Sequence, residues 1–138
     1  MSNLMRLSLS MEKALLDRLK KMVKNSKYAN RSEFIRDMIR NRLVEHEWKH
    51  NQKVVGTITL VYDHHTRELN KKLTDLQHHH HSMILATTHV HLDEHMCTEM
   101  ILAKGRANQI REIADLLRQQ KGVLHAALSI SATGKQLV

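Results

Sequence analysis

The stretch MRLSLS, at residues 5–10, alternates strictly between apolar and polar side chains. Successive side chains leave a β-strand on opposite faces, so this pattern predicts a strand with one apolar and one polar face. The polar face consists of Arg6, Ser8 and Ser10. Because a lone strand leaves its backbone groups unpaired, we expect it to pair with the same strand of a second copy.

Two amphipathic helices are predicted after this strand. The first has Ser10 as its N-cap and runs to about Asn25. The second has Asn30 as its N-cap, followed three residues later by Glu33, and runs to about Trp48. The order strand, helix, helix in so short a segment buries too little apolar surface to fold alone, which favours an intertwined homodimer.

The positive charge is concentrated in the same segment. Residues 1–50 contain 12 Lys and Arg against 6 Asp and Glu, whereas residues 51–138 contain 10 against 8. A two-stranded ribbon fits the DNA major groove, where Arg6 could bond guanine and the hydroxyls of Ser8 and Ser10 could reach bases or phosphates. The alternative is an ordinary solvated face, but basic charge and element order together favour DNA binding.

The remaining sequence predicts the element order β-α-β-β-α-β. The predicted strands cover residues 54–62, 83–91, 97–104 and 124–131, and the predicted helices cover residues 66–77 and 107–120. Gly105 is expected to separate the third strand from the second helix, and Gly122 to end that helix. This order is the ferredoxin-like arrangement, an antiparallel sheet with two helices on one face.

Metal-binding side chains cluster in the middle of this half. Seven of the 12 histidines and the single cysteine lie between His78 and Cys97. His89 and His91 are two residues apart on a predicted strand, so they share a face, and Cys97 begins the partner strand. A fourth ligand could come from the HHHH run at residues 78–81. Spacing alone leaves open tetrahedral zinc or square-planar nickel or copper.

These residues also have interpretations other than a metal-binding site without catalytic activity. A lone cysteine is often a small buried apolar residue, and an enzyme would need an open coordination position beside an acid or base, for which only Glu94 and Glu99 are available. We therefore do not expect an enzyme. The remaining alternative is a nickel or zinc storage or delivery protein, which would not need the N-terminal strand.

The cellular setting is predicted from cysteine usage and hydropathy. One cysteine cannot form an internal disulfide, which suits a reducing compartment. No apolar run approaches the roughly 18–20 residues of a membrane span. We expect a soluble cytoplasmic protein with no membrane partner.

Two family resemblances support this organisation. YANRSEFIRD, at residues 28–37, resembles the turn and second helix of the ribbon-helix-helix transcription factors. From about Met5 to about Leu128 the chain resembles the nickel-responsive regulators, the NikR family, most specifically in QHHHH at 77–81, HVH at 89–91 and CTE at 97–99. The resemblance implies an α+β protein. It would join a ribbon-helix-helix domain, residues 1–50, to a ferredoxin-like, ACT-like βαββαβ domain, residues 51–138.

The second resemblance also implies a ligand set and a function. His89, His91 and Cys97 of one subunit, with His78 of a neighbour, would hold one Ni(II) per subunit in a square plane. The assembly would be a homotetramer built from ribbon-helix-helix dimers. Its nickel form would bind double-stranded operator DNA and repress nickel-uptake genes.

Particular residues bear on how far this resemblance extends. Arg6, Ser8 and Ser10 match the base-reading positions of the ribbon, with serines where threonines are common. His95 is an additional histidine in the metal loop and a possible alternative ligand. Glu33 and Asp37, one helical turn apart, could accept a hard cation by resemblance, or could be a cap residue and a solvated acid.

Overall fold

A computed structural model of the chain describes residues 3–138. The chain divides into two compact units, Met1–Arg40 and Asn41–Val138. The division falls inside one continuous helix, so the domain boundary expected at residue 50 stays a prediction.

The first unit contains the two predicted helices. Helix α1 spans Lys13–Asn25 and α2 spans Arg31–Lys49, the latter continuing into the second unit. The Asn30 cap is confirmed, because its Oδ1 accepts the backbone N–H of Glu33 at 3.0 Å. The Ser10 cap is wrong: α1 begins two residues later than expected, with Glu12 in extended conformation as its N-cap residue.

The predicted N-terminal strand is not a strand in the single chain. Residues 3–10 belong to no helix or strand. The apolar side chains of this segment are exposed, from 62% at Leu9 to 86% at Met5. A strand exists only as part of a hydrogen-bonded ladder, and within residues 3–138 the sheet consists of four other strands. Alternation predicts which side chains share a face, whereas the ladder itself requires a partner.

The second unit has the predicted βαββαβ order. Its elements are β1 (Lys53–Asp63), α3 (Leu69–His79), β2 (Ile84–His91), β3 (Met96–Arg106), α4 (Ala107–Arg118) and β4 (Val123–Ser131). The strands form one antiparallel sheet in the order β2-β3-β1-β4. The ferredoxin-like fold is therefore confirmed.

The core lies between one face of this sheet and the two helices. Its buried members come from the sheet, for example Ile58 and Ile101, from α3, for example Leu73, and from α4, for example Leu117. Trp48, at the end of α2, joins a second buried cluster with Val54, Ala103, Ala107 and Ile110.

Across residues 3–138, no helix is long and apolar enough to cross a membrane.

Several element boundaries differ from the expected ones. Helix α3 begins at Leu69 after Glu68 in a left-handed conformation, φ 64°, three residues later than expected. Gly105 lies inside β3 and does not end it. A Cβ there would lie 2.8 Å from Cε at the flexible end of Met83, so that side chain would have to shift. Helix α4 ends at Arg118 with Gln119 as its C-cap residue, before the expected end near residue 120. Gly122, with φ 104°, therefore lies in the turn before β4 and does not itself end the helix.

Candidate metal centre

Three of the predicted metal ligands share one face of the sheet. In the β2–β3 pairing, His91 lies opposite Cys97 and His89 lies opposite Glu99. Directly opposed residues of antiparallel strands project to the same side. The rings of His89 and His91 are 5.2 Å apart between centroids. The two histidines and the cysteine are thus neighbours at the end of the sheet where β2 turns into β3.

Cys97 is fully buried, with 0% of its surface exposed. Its thiol donates to the backbone carbonyl of Tyr62, 3.4 Å from Sγ. Burial raises the pKa of the Cys97 thiol above its ordinary value. The thiol therefore keeps its proton without a metal, and binding a cation as thiolate must displace that proton.

A buried phenol contacts His89, the first of the predicted histidine ligands. Tyr62 is 1% exposed, and its hydroxyl donates to Glu99 Oε2 at 3.0 Å and lies 3.2 Å from His89 Nδ1. Burial, together with the Glu99 carboxylate, raises the pKa of Tyr62 well above its ordinary value. The phenol has one proton, which is donated to Glu99, so in the 3.2 Å contact His89 Nδ1 must be the donor.

This contact selects one histidine tautomer. With its proton on Nδ1, the neutral His89 ring keeps a lone pair on Nε2, the atom available to a metal. A ligating histidine usually donates its other ring N–H to a protein acceptor. The Tyr62–Glu99 pair is a support of that kind, so the residues present fit a transition-metal site. The sequence analysis named Glu99 only as an acid or base near the ligands, and nothing in the sequence pointed to Tyr62.

The same carboxylate extends the network to α3. Gln77 donates through Nε2 to Glu99 Oε1 at 2.8 Å and accepts from Thr87 Oγ1 at 2.8 Å. Gln77 immediately precedes His78, which is exposed at the end of α3 and lines a groove with Gln77, Thr87 and Glu99. The residue next to His78 is therefore hydrogen-bonded to the strands that carry the other predicted ligands.

A different group of donors is closest together in this chain. Among residues 3–138, the group of three whose ligand atoms lie within 4.8 Å of one another is Asp63, His65 and His95. His78, His89, His91 and Cys97 form no such group within the single chain, and they stay the predicted nickel ligands. The sequence singled out His95 but not Asp63 or His65.

The predicted DNA-contacting residues lie in the N-terminal segment. Arg6, Ser8 and Ser10 are all exposed. The two carboxylates considered for a hard cation have partners within the first unit: Glu33 pairs with Arg36, and Asp37 accepts a hydrogen bond from the Tyr28 hydroxyl.

Two family models match successive parts of the chain. Residues 5–45 match the ribbon-helix-helix protein, copG family, and residues 55–131 match the NikR C-terminal nickel-binding domain. The chain belongs to the nickel-responsive regulator family. Relatives provisionally named nickel-responsive regulators include one from Solibacter usitatus, 46% identical over 99% of both chains. Another, from Caldanaerobacter subterraneus subsp. tengcongensis, is 44% identical over 99% of this chain and 90% of its own.

A solved structure shares the fold of part of this chain. An uncharacterised protein from Thermotoga maritima superposes with a TM-score of 0.52 at 19% identity. The match covers 57% of this chain and 98% of that protein. At this identity the likeness concerns the fold alone.

Proposed function

We propose that this protein is a nickel-responsive transcriptional repressor that binds double-stranded operator DNA in its Ni(II) form. Its ligands would be His89, His91 and Cys97 of one subunit and His78 of a neighbouring subunit, one ion per subunit. Three imidazoles and one thiolate are a donor set that suits square-planar Ni(II). The observation that carries the proposal is the contact of the Tyr62–Glu99 pair with His89 Nδ1, in the strand pair that also holds His91 and Cys97.

The shape of the first unit supports DNA binding by a dimer. Helix α1 buries none of its residues within the chain, and the apolar side chains Met5, Leu7 and Leu9 are exposed. Contact with a second copy would bury these side chains and supply the missing strand partner. Arg6, Ser8 and Ser10 would then form the polar face of a ribbon fit for the major groove.

The exposed position of His78 supports an assembly of two such dimers. A ligand at the surface of one subunit can complete a site on the next, so nickel would join subunits and restrict where the two ribbons lie. The expected assembly is a homotetramer. Nickel would then favour the arrangement that fits two operator half-sites, and by linkage operator DNA must raise nickel affinity by the same factor.

The test is operator binding with and without nickel. We expect wild-type protein to bind labelled operator about 5- to 150-fold more tightly with Ni(II), the usual range of such coupling. His78→Ala should lose this gain. The matched variant His79→Ala, which removes the adjacent imidazole, should keep it. Equal operator affinity with and without nickel in the wild type would overturn the repressor proposal and favour a metal store.

A further inference from the structure

Two turns meet at the end of the sheet next to the candidate nickel ligands. β1 ends at Asp63, which pairs with Met96, the first residue of β3. Immediately beyond this pair, the backbone N–H of His64 donates to the carbonyl of His95 at 3.0 Å. The segment after β1 and the hairpin between β2 and β3 are thus joined through their backbones.

These turns bring together three metal-binding side chains. A carboxylate oxygen of Asp63 and one ring nitrogen each of His65 and His95 all lie within 4.8 Å of one another. The two rings are 5.3 Å apart between centroids, and His65 Nδ1 is 3.4 Å from Asp63 Oδ1. Both histidines are exposed and Asp63 is half-buried, so an ion here could keep water in its remaining positions.

Hydrogen bonds to the backbone hold both histidines in place. Asp93 Oδ1 accepts the N–H groups of His95 and Met96 at 2.8 and 2.7 Å. Asp63 Oδ1 accepts the N–H of His65 at 2.9 Å. A carboxylate has about four acceptor positions, so Asp63 can make this bond and still bind a cation. A site whose loops are already ordered loses less entropy on binding.

We propose that Asp63, His65 and His95 bind a divalent transition-metal ion of the zinc or nickel class, at a site separate from the one around Cys97. Two imidazoles and one carboxylate are ligands that these ions accept, and with no thiolate the site differs chemically from the first. The ring of His64 lies between the two sites, 4.0 Å from the ring of His65 and 4.8 Å from that of His91, between centroids.

The experiment counts Zn(II) and Ni(II) ions bound by the full chain, using equilibrium dialysis and elemental analysis. Asp63→Asn keeps an oxygen for the His65 N–H but removes the charge. His95→Gln keeps the backbone bonds of the hairpin, which do not use the ring. The wild type should bind two ions per chain. Each variant should lose one ion, or bind it at least about tenfold more weakly, because losing even a group that supports a ligand typically weakens binding by that much.

Matched variants separate this site from the first one. His79→Ala, which removes an imidazole from the histidine run, should leave the second ion bound. Cys97→Ala should remove the thiolate-to-nickel absorption band and keep the second ion, whereas Asp63→Asn and His95→Gln should keep the band. The second site is refuted if both of these variants bind as many ions as the wild type with unchanged affinity. If a variant loses the thiolate-to-nickel band but keeps the second ion, the result bears on the nickel site and the proposed function, and not on the second site.

Discussion

Tyr62→Phe tests the support of the candidate nickel site directly. The phenyl ring fills the same buried space, so the substitution removes only the hydroxyl. Glu99, which is 7% exposed, would lose the 3.0 Å bond and keep Gln77 Nε2 as its donor. His89 would lose the acceptor of its Nδ1 proton.

Two effects of measurable size should follow. A buried acceptor deprived of one donor costs about 1–3 kcal/mol, so the metal-free protein should lose about 2 kcal/mol of unfolding free energy. Without its partner, His89 is no longer held in one tautomer and ring orientation. Loss of such a support typically weakens metal binding about 10- to 100-fold.

The assays are urea unfolding of the metal-free protein and competition for Ni(II) against a chelator of known affinity. Tyr28→Phe is the matched control, because it deletes an exposed hydroxyl that donates to Asp37 in the first unit. It should leave nickel affinity unchanged. If Tyr62→Phe binds nickel within twofold of wild type, the phenol does not orient the ligand, and the argument from the His89 tautomer fails.

Three further outcomes are expected. Trp48→Ala should cost about 3–5 kcal/mol in chemical unfolding, because the indole is 1% exposed and its Nε1 donates to the Ser131 carbonyl at 2.7 Å; a loss below 1 kcal/mol would contradict this packing. The pKa of the Cys97 thiol is raised in the folded protein, so as pH rises above 9.0 the unfolded chain loses the thiol proton first. Unfolding free energy of the metal-free protein should therefore fall above that pH, less steeply in Cys97→Ala. Arg6→Ala should weaken specific operator binding by about 1–3 kcal/mol in a gel-shift titration without changing nickel affinity; equal weakening on unrelated DNA would instead indicate a phosphate contact.

Much of the fold follows from local patterns along the chain. The predicted strand over 54–62 is observed as β1, Lys53–Asp63, because alternate residues of a half-buried strand must be apolar. Ile110, Ile113, Ala114 and Leu117, predicted to face inward, are buried. Ser10 failed as the N-cap of α1 because the polar residue Glu12, two positions later, could also precede the helix, and only the folded chain selects one of them.

The predicted strand at residues 5–10 shows the limit of prediction from local sequence pattern. Alternation at residues 5–10 sorts side chains into two faces, but a ladder needs hydrogen bonds from a partner that a single chain does not supply. Arg6, Ser8 and Ser10 are predicted from this pattern, and their role depends on the same partner.

At the metal centre, sequence and tertiary structure contribute different things. The sequence by itself determined that three predicted donors lie on one face of two paired strands, because a spacing of two residues puts His89 and His91 on that face and a short hairpin returns Cys97 opposite His91. Only the tertiary structure decided which groups support them. Tyr62 is 27 residues from His89 and 37 from Glu99 along the chain, and His65 is 30 residues from His95. No periodicity encodes such separations, because strand register and the packing of turns bring these side chains together.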